Sequence, residues 1–233
     1  MKIAVLGYGR MGKEIEKIAI SRGHEILIKK DIDALIDITL ADVAIDFSEP
    51  GSAFNNISDC IKNNVPVISG TTGWLDKYED AVTLCKKEKG AFIYASNFSL
   101  GVNIFFELNK QLAKMMGNLE DYRISIEEIH HTKKLDAPSG TAITLAESIV
   151  KNGAFTNWEL NKATTAESLP IYAKRIPEVP GTHTVSYASG IDEIHINHTA
   201  KNRQGFALGA VIAAEWLLNK EGVYSMKDVL NIG

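Results

Sequence analysis

The feature that most restricts the fold lies at the start of the chain. Ile3-Ala4-Val5-Leu6 runs straight into Gly7-Tyr8-Gly9-Arg10-Met11-Gly12, and Ile15, Ile18 and Ala19 follow at helical spacing. The order is strand, tight turn, helix. A dinucleotide pyrophosphate needs close approach to the backbone N–H groups of a helix start. A side chain at Gly7, Gly9 or Gly12 would crowd the turn, the phosphates or the strand–helix packing. The competing reading is a tight turn without a ligand, since glycine turns are common. A second strand is predicted over residues 25–28 and runs into Lys29-Lys30-Asp31. Asp31, 19 residues beyond Gly12, stands close to where a carboxylate receives the adenosine ribose hydroxyls, whereas Lys29 and Lys30 offer charge to a 2′-phosphate. The cofactor is accordingly read as NADH, NADPH or both, with solvated surface lysines as the alternative use of the basic pair.

The rhythm continues. Apolar runs at residues 43–47, 65–68 and 91–95 alternate with the helical spacings Ala53/Ile57/Ile61 and Leu75/Tyr78/Val82/Cys85. This predicts an α/β fold with a Rossmann-like, doubly wound parallel sheet and right-handed crossovers. Three strands end in polar or glycine-rich segments: Asp46-Phe47-Ser48-Glu49-Pro50, Ser69-Gly70-Thr71-Thr72-Gly73 and Ala95-Ser96-Asn97-Phe98-Ser99. Ligands bind at the carboxyl ends of parallel strands, so these loops are expected to line the nicotinamide and substrate crevice. Gly70, Thr71 and Thr72 either meet the nicotinamide ribose or carboxamide, or form a strand-to-helix turn in which a threonine caps.

With 233 residues, 45% hydrophobic, the chain can build one large core or two modest ones. A net charge of −4 without strong clustering of either sign argues against nucleic acid or an anionic membrane as partner. Cys60 and Cys85 lack metal-binding spacing and read as buried thiols. No secretory h-region or transmembrane-length segment is present, which points to the cytoplasm.

After a helix predicted over residues 101–116, Tyr122, Ile124 and Ile126 alternate with Arg123, Ser125 and Glu127 as in a half-buried strand. That strand leads to His130-His131-Thr132-Lys133-Lys134-Leu135-Asp136-Ala137-Pro138-Ser139-Gly140-Thr141. Ala142, Leu145, Ala146 and Ile149 then mark a helix that stops at Asn152-Gly153. The free N–H groups at its start can hold a carboxylate. Residues 169–175, 182–188 and 192–200 read as further strands, giving a mixed α+β second domain, and residues 207–218 as a last helix returning to the first. The expected domains are residues 1–101 with 203–233 for the dinucleotide, and 102–202 for substrate and oligomerisation.

A nicotinamide supplies hydride and leaves the protein to orient an electrophile and manage protons. His130, His131 and Lys134 suit those tasks, and a bound anion would favour a protonated imidazole. The bland alternative is a stacked histidine with solvated lysines. Two adjacent histidines without a well-spaced third ligand do not suggest a metal, and none is expected. Arg203 either neutralises a cofactor phosphate or pairs with an acidic residue.

In their order along the chain, these motifs resemble those of bacterial dihydrodipicolinate reductases. The resemblance rests on the glycine turn, Asp46-Phe47-Ser48, Gly70-Thr71-Thr72-Gly73, Ala95-Ser96-Asn97-Phe98-Ser99-Leu100-Gly101-Val102-Asn103, the segment from His130 to Ala142 and residues 186–203. It implies reduction of 4-hydroxy-tetrahydrodipicolinate, through its dehydrated cyclic imine, in diaminopimelate and lysine synthesis. It also implies His130 as proton donor, Lys134 as a catalytic and substrate-binding residue, and His131, Ser139, Gly140 and Thr141 as carboxylate ligands. Around the cofactor it implies Gly7, Gly12, Asp31, Gly70, Thr72, Asn97, Arg203 and Phe206, and the turn and loop motifs themselves add Tyr8, Gly9, Arg10, Met11, Thr71, Ser96 and Phe98 as candidates. A small dicarboxylate substrate and a homotetramer are further implications. Tyr8 departs from the smaller residue frequent in the family at that position. The alternatives are a reductase of another small carboxylated substrate, or a dinucleotide sensor without turnover.

Overall fold

A computed structural model describes residues 1–30, 37–153, 155–202 and 204–232. In chain order its elements begin with β1 (Lys2–Leu6), α1 (Arg10–Ser21), β2 (Glu25–Lys30), β3 (Val43–Asp46), α2 (Pro50–Lys62), β4 (Val67–Ser69), α3 (Tyr78–Lys87), β5 (Ala91–Tyr94) and α4 (Leu100–Met116). They continue with β6 (Arg123–His130), α5 (Gly140–Asn152), β7 (Asn157–Leu160), β8 (Ser168–Arg175), β9 (Gly181–Ala188), β10 (Glu193–Ala200), α6 (Gln204–Leu217), β11 (Gly222–Tyr224) and α7 (Met226–Leu230). The chain divides into two compact units, Met1–Asn103 with Gln204–Gly233 and Ile104–Arg203.

The first unit holds a six-stranded sheet in the order β11-β5-β4-β3-β1-β2, with every pairing parallel. Its central strands are apolar except at their ends, where Lys2 opens β1 and Asp46 and Ser69 close β3 and β4, because both faces are covered. Ile3, Val5, Val43 and Ile45 pack on one side with α1 and α6, while Ala4, Leu6, Ala44 and Val67 pack on the other with α2 and α3. Helix α6 comes close by using small residues. A Cβ added at Gly209 would lie 1.7 Å from the Phe98 carbonyl oxygen. Cys60 and Cys85 are buried and free, and burial pushes both thiols up.

Strand β4 starts at Val67 rather than at Val65, where the apolar run begins. Pro66 supplies no N–H for a ladder, although its carbonyl accepts from Ala44 N. The apolar pattern does not foresee β11 or α7. Three residues, Gly222-Val223-Tyr224, are too few for a period, and β11 exists because it pairs with β5. Helix α7 rests on a local signal, a capping box between Ser225 and Asp228.

The second unit carries a five-stranded mixed sheet, β10-β9-β6-β8-β7. Strand β6 runs antiparallel to β9 and parallel to β8. The register faces Ile126 with Val185 on one side and Ile171 on the other, and these three join Leu145, Ala146 and Ile149 of α5 in the unit's core. Among the described residues no helix is long and apolar enough to cross a membrane.

Candidate active site

The glycine turn of the first unit makes three separate demands. Gly7 has φ +94°, and a Cβ there would meet the Phe47 carbonyl oxygen at 2.3 Å. A Cβ on Gly12 would come 2.5 Å from the Gly7 carbonyl oxygen, so this glycine lets α1 lie against β1. Gly9 differs, because a Cβ there meets nothing within 4 Å. Gly9 is also the N-cap of α1, no side chain caps that end, and no acidic residue stands in the first turn. Helix-start N–H groups beside an open glycine fit a pyrophosphate. Arg10 is exposed at this end, and Met11 packs on the core.

A cavity of about 540 Å³ adjoins the turn, lined by Gly7, Tyr8, Gly9, Lys30, Ser48 and Asn56 among others. The two lysines that the sequence left equivalent are separated here. Lys29 pairs with Glu16 at 2.5 Å, and the same carboxylate accepts the Tyr8 hydroxyl. Lys30 instead borders the cavity and donates to Asn56 Oδ1 at 2.9 Å. Asp31 and Arg203, both expected at the cofactor, lie outside the described residues.

The strand ends behind this cavity are organised by Asp46, a fully buried carboxylate. It accepts from the Ser48 hydroxyl (2.6 Å), Asn56 Nδ2 (2.9 Å), the Ser69 hydroxyl (2.8 Å) and the Thr71 hydroxyl (2.8 Å). Two of the residues expected at the cofactor have side chains already engaged within the protein. Thr71 is buried and also accepts from Ser48 N, so its hydroxyl joins strand ends instead of facing solvent as a ligand group. The Phe98 ring is 1% exposed and packs against Phe47 in the core. Gly70 is needed for packing, since a Cβ would strike the Phe47 ring at 2.3 Å. Thr72 and Ser96 are exposed, Phe206 is half-buried in the first turn of α6, and Asn97 Oδ1 accepts from Ser99 N.

In the second unit the apolar stripe of β6 turns polar at its carboxyl end. The period of two that places Ile124 and Ile126 against the core also places Glu128 and His130 there, 0% and 7% exposed. Register sets Glu128 opposite His183 of β9, and His130 opposite Arg175 of β8. Glu128 Oε1 receives Arg175 Nη1 at 3.2 Å, while Oε2 receives the Ser139 backbone N–H at 2.9 Å. Arg175 also donates to the carbonyls of Lys134 and Asp136, so it staples the loop after β6 to β8.

Ser139, expected to bind substrate, is committed to the protein. It is 3% exposed, its N–H goes to Glu128, and its hydroxyl caps Ala142 N while sitting 3.0 Å from His183 Nε2. Helix α5 starts at Gly140, and the N–H groups of Gly140 and Thr141 belong to the first turn, which has no partner within the helix. A Cβ at Gly140 would meet nothing within 4 Å. Lys134 Nζ holds both oxygens of Asp136 at 2.9 and 2.8 Å. His131 is half-buried, and its Nδ1 is buried without a hydrogen-bond partner.

With no anion bound, His130 is set as a neutral imidazole. Burial, then His183, Lys134 and Arg175, lower its pKa to about 4 against the opposing pull of Glu128, so the ring is neutral near pH 7. Its Nδ1 lies 3.5 Å from Glu128 Oε2 without making a hydrogen bond, and its Nε2 would lie 3.1 Å from a Cβ at Gly181. Burial alone would raise the Glu128 pKa. His183, 3.7 Å from Oε2, the bonding of Ser139 and the charge of His130 outweigh it and bring the value down to about 2.

Sequence reasoning missed Glu128, Arg175 and His183. One signal was present, a glutamate in phase with the apolar face of a predicted strand, where an unpaired charge would be costly. The carboxylate and ring nitrogens of Glu128, His130 and His183 all fall within 4.8 Å of one another. A guanidinium and a backbone N–H already claim the carboxylate, so the cluster is an ion-paired network.

Two family profiles match the chain, "Dihydrodipicolinate reductase, N-terminus" over residues 20–98 and "Dihydrodipicolinate reductase, C-terminus" over residues 101–230. A 4-hydroxy-tetrahydrodipicolinate reductase of Christiangramia forsetii is 61% identical over 236 aligned residues, covering 99% of this chain and 98% of the relative. One from Buchnera aphidicola is 38% identical, covering 92% and 80%. Among solved structures, a dipicolinate-bound dihydrodipicolinate reductase from Paenisporosarcina sp. superposes with a TM-score of 0.79 at 23% identity, covering 97% of each chain, which bears on the fold.

Proposed function

The chain belongs to the dihydrodipicolinate reductase family and reduces 4-hydroxy-tetrahydrodipicolinate with NAD(P)H in diaminopimelate and lysine biosynthesis; on that premise we propose which of its residues carry the chemistry. The reduced nicotinamide, when bound, supplies a hydride, and one proton must be added to the ring for the reaction to balance. The open Gly9 and the uncapped start of α1 are the place for the cofactor's pyrophosphate.

The N–H groups of Gly140 and Thr141 hold one substrate carboxylate at the start of α5, and the Lys134 ammonium, with His131, meets the other. Ser139 serves them indirectly by fixing the turn. His130 gives the proton. A ring that is neutral in the free enzyme becomes an acid when a dianion arrives, because nearby negative charge favours the imidazolium. The single observation carrying this reading is the buried imidazole linked through Glu128 to Ser139, the cap of a helix whose first N–H groups have no partner within the helix. We also propose a cytoplasmic location and a homotetramer built through the second-unit sheet, with the outer edge of β10 available for pairing. Size-exclusion chromatography with light scattering reads the assembly.

The test is turnover of freshly generated substrate with NADH and NADPH separately, for the parent and for His130→Ala and Lys134→Ala. Both variants are expected to lose activity by a factor on the order of 100 or more with the fold retained. Parent-like rates in both would remove these residues from the mechanism.

A further inference from the structure

We propose that Glu128 is a positioning residue for this reaction, the buried counter-ion that orients His130 and stabilises its protonated form when substrate is bound. The inference rests on the proposed role of His130. Four observations carry it. Glu128 is fully buried on the same face of β6 as His130, two residues away. Its Oε2 is 3.5 Å from His130 Nδ1, which has no hydrogen-bond partner among the described residues. A small closure of that gap would make a charge-assisted bond. Gly181 bounds the opposite edge of the ring, and the lack of a side chain there lets the imidazole sit with Nδ1 toward the carboxylate. The remaining bonds of Glu128, to Arg175 and to the Ser139 N–H, hold the carboxylate still.

The same carboxylate thus ties the proton-carrying ring to the turn that opens α5. The charged and titratable groups facing His130 are Glu128 on its own strand, His183 on β9, Arg175 on β8 and Lys134 from the following loop. Three of these four oppose an imidazolium, and Glu128 alone favours it. Its removal leaves the proton donor surrounded by groups that repel its acid form.

The experiment measures kcat and kcat/KM against pH for the parent enzyme, Glu128→Gln and His130→Ala, with thermal midpoints and NAD(P)H fluorescence titrations as controls. Expected for Glu128→Gln is a fall in kcat by a factor on the order of 10–100 with KM within about threefold, because the loss is felt as the proton moves. The limb on which kcat falls with rising pH should move to lower pH by about one unit. A carboxylate that merely supports the fold would leave that limb in place. An unmoved limb, or a loss confined to KM, overturns the inference. If the Gln variant does not fold, Glu128→Asp, which keeps the charge but draws it back by one methylene, must show the same two effects in smaller measure. Parent-like turnover in His130→Ala would instead refute the underlying assignment. An inactive His130→Ala with an unmoved limb in Glu128→Gln would refute only the role of Glu128.

Discussion

The hydroxyl of Thr71 donates to Asp46 Oδ2 over 2.8 Å, joining the segment that follows β4 to the last residue of β3. Ser69, Ser48 and Asn56 complete four neutral donors on one buried carboxylate, and Asn56 passes the link on to Lys30 at the cavity wall. The ligand loops of a parallel sheet emerge separately from each strand, so something must hold them in one arrangement. Here a single side chain joins the two that follow β3 and β4.

Asp46→Ala is therefore expected to leave four donors without an acceptor and to cost on the order of 3 kcal/mol. It should also weaken cofactor binding as the loops relax. Chemical denaturation and fluorescence titration with NAD(P)H check both. Parent-like stability would mean that water or another donor pairing replaces the carboxylate easily.

The glycine turn predicts a contrast between neighbours. Gly12→Ala forces a Cβ to within 2.5 Å of a backbone oxygen and should lower the thermal midpoint, whereas Gly9→Ala has space and an ordinary φ of −78° and should leave it unchanged. Gly9→Ala should nevertheless weaken NAD(P)H binding by about tenfold or more, because the methyl group stands where the pyrophosphate approaches. Equal affinity for parent and Gly9→Ala would place the phosphates elsewhere.

Acid should destabilise the protein in two overlapping stages. The His130 pKa in the folded state is about 4 against an ordinary 6.5, so between those values the unfolded chain binds a proton that the folded one refuses, and stability falls as pH falls. Glu128, lowered from 4.5 to about 2, adds a loss of the same sign below pH 4.5. Thermal midpoints across this range should decline toward acid, and His130→Gln should flatten the portion between pH 6.5 and 4. An identical profile for that variant would show that other groups govern the decline.

Local pattern was enough for the glycine turn, the parallel βα rhythm and the basic motif that precedes Ser139. Each rests on neighbours in the chain: an apolar strand needs both faces covered, a helix start needs a cap, a glycine relieves a local clash. The polar cluster was legible only in part. The alternation of Ile124, Ile126, Glu128 and His130 puts a carboxylate and an imidazole on one buried face, yet what answers that charge comes from Arg175 and His183, 47 and 55 residues further along the chain than Glu128.

The internal engagement of the Ser139, Thr71 and Phe98 side chains has the same origin. A serine before a helix is equally suited to a ligand or to its own helix, and only the arrival of Glu128 and His183 decides. By itself, the amino-acid order determined the fold class, the family and the chemical types gathered at the site, because these depend on short-range periodicity and motif spacing. The tertiary structure alone decided which groups are already paired, that His130 rests neutral and that Lys30 rather than Lys29 borders the cavity, because desolvation and ion pairing depend on which strands the register brings together.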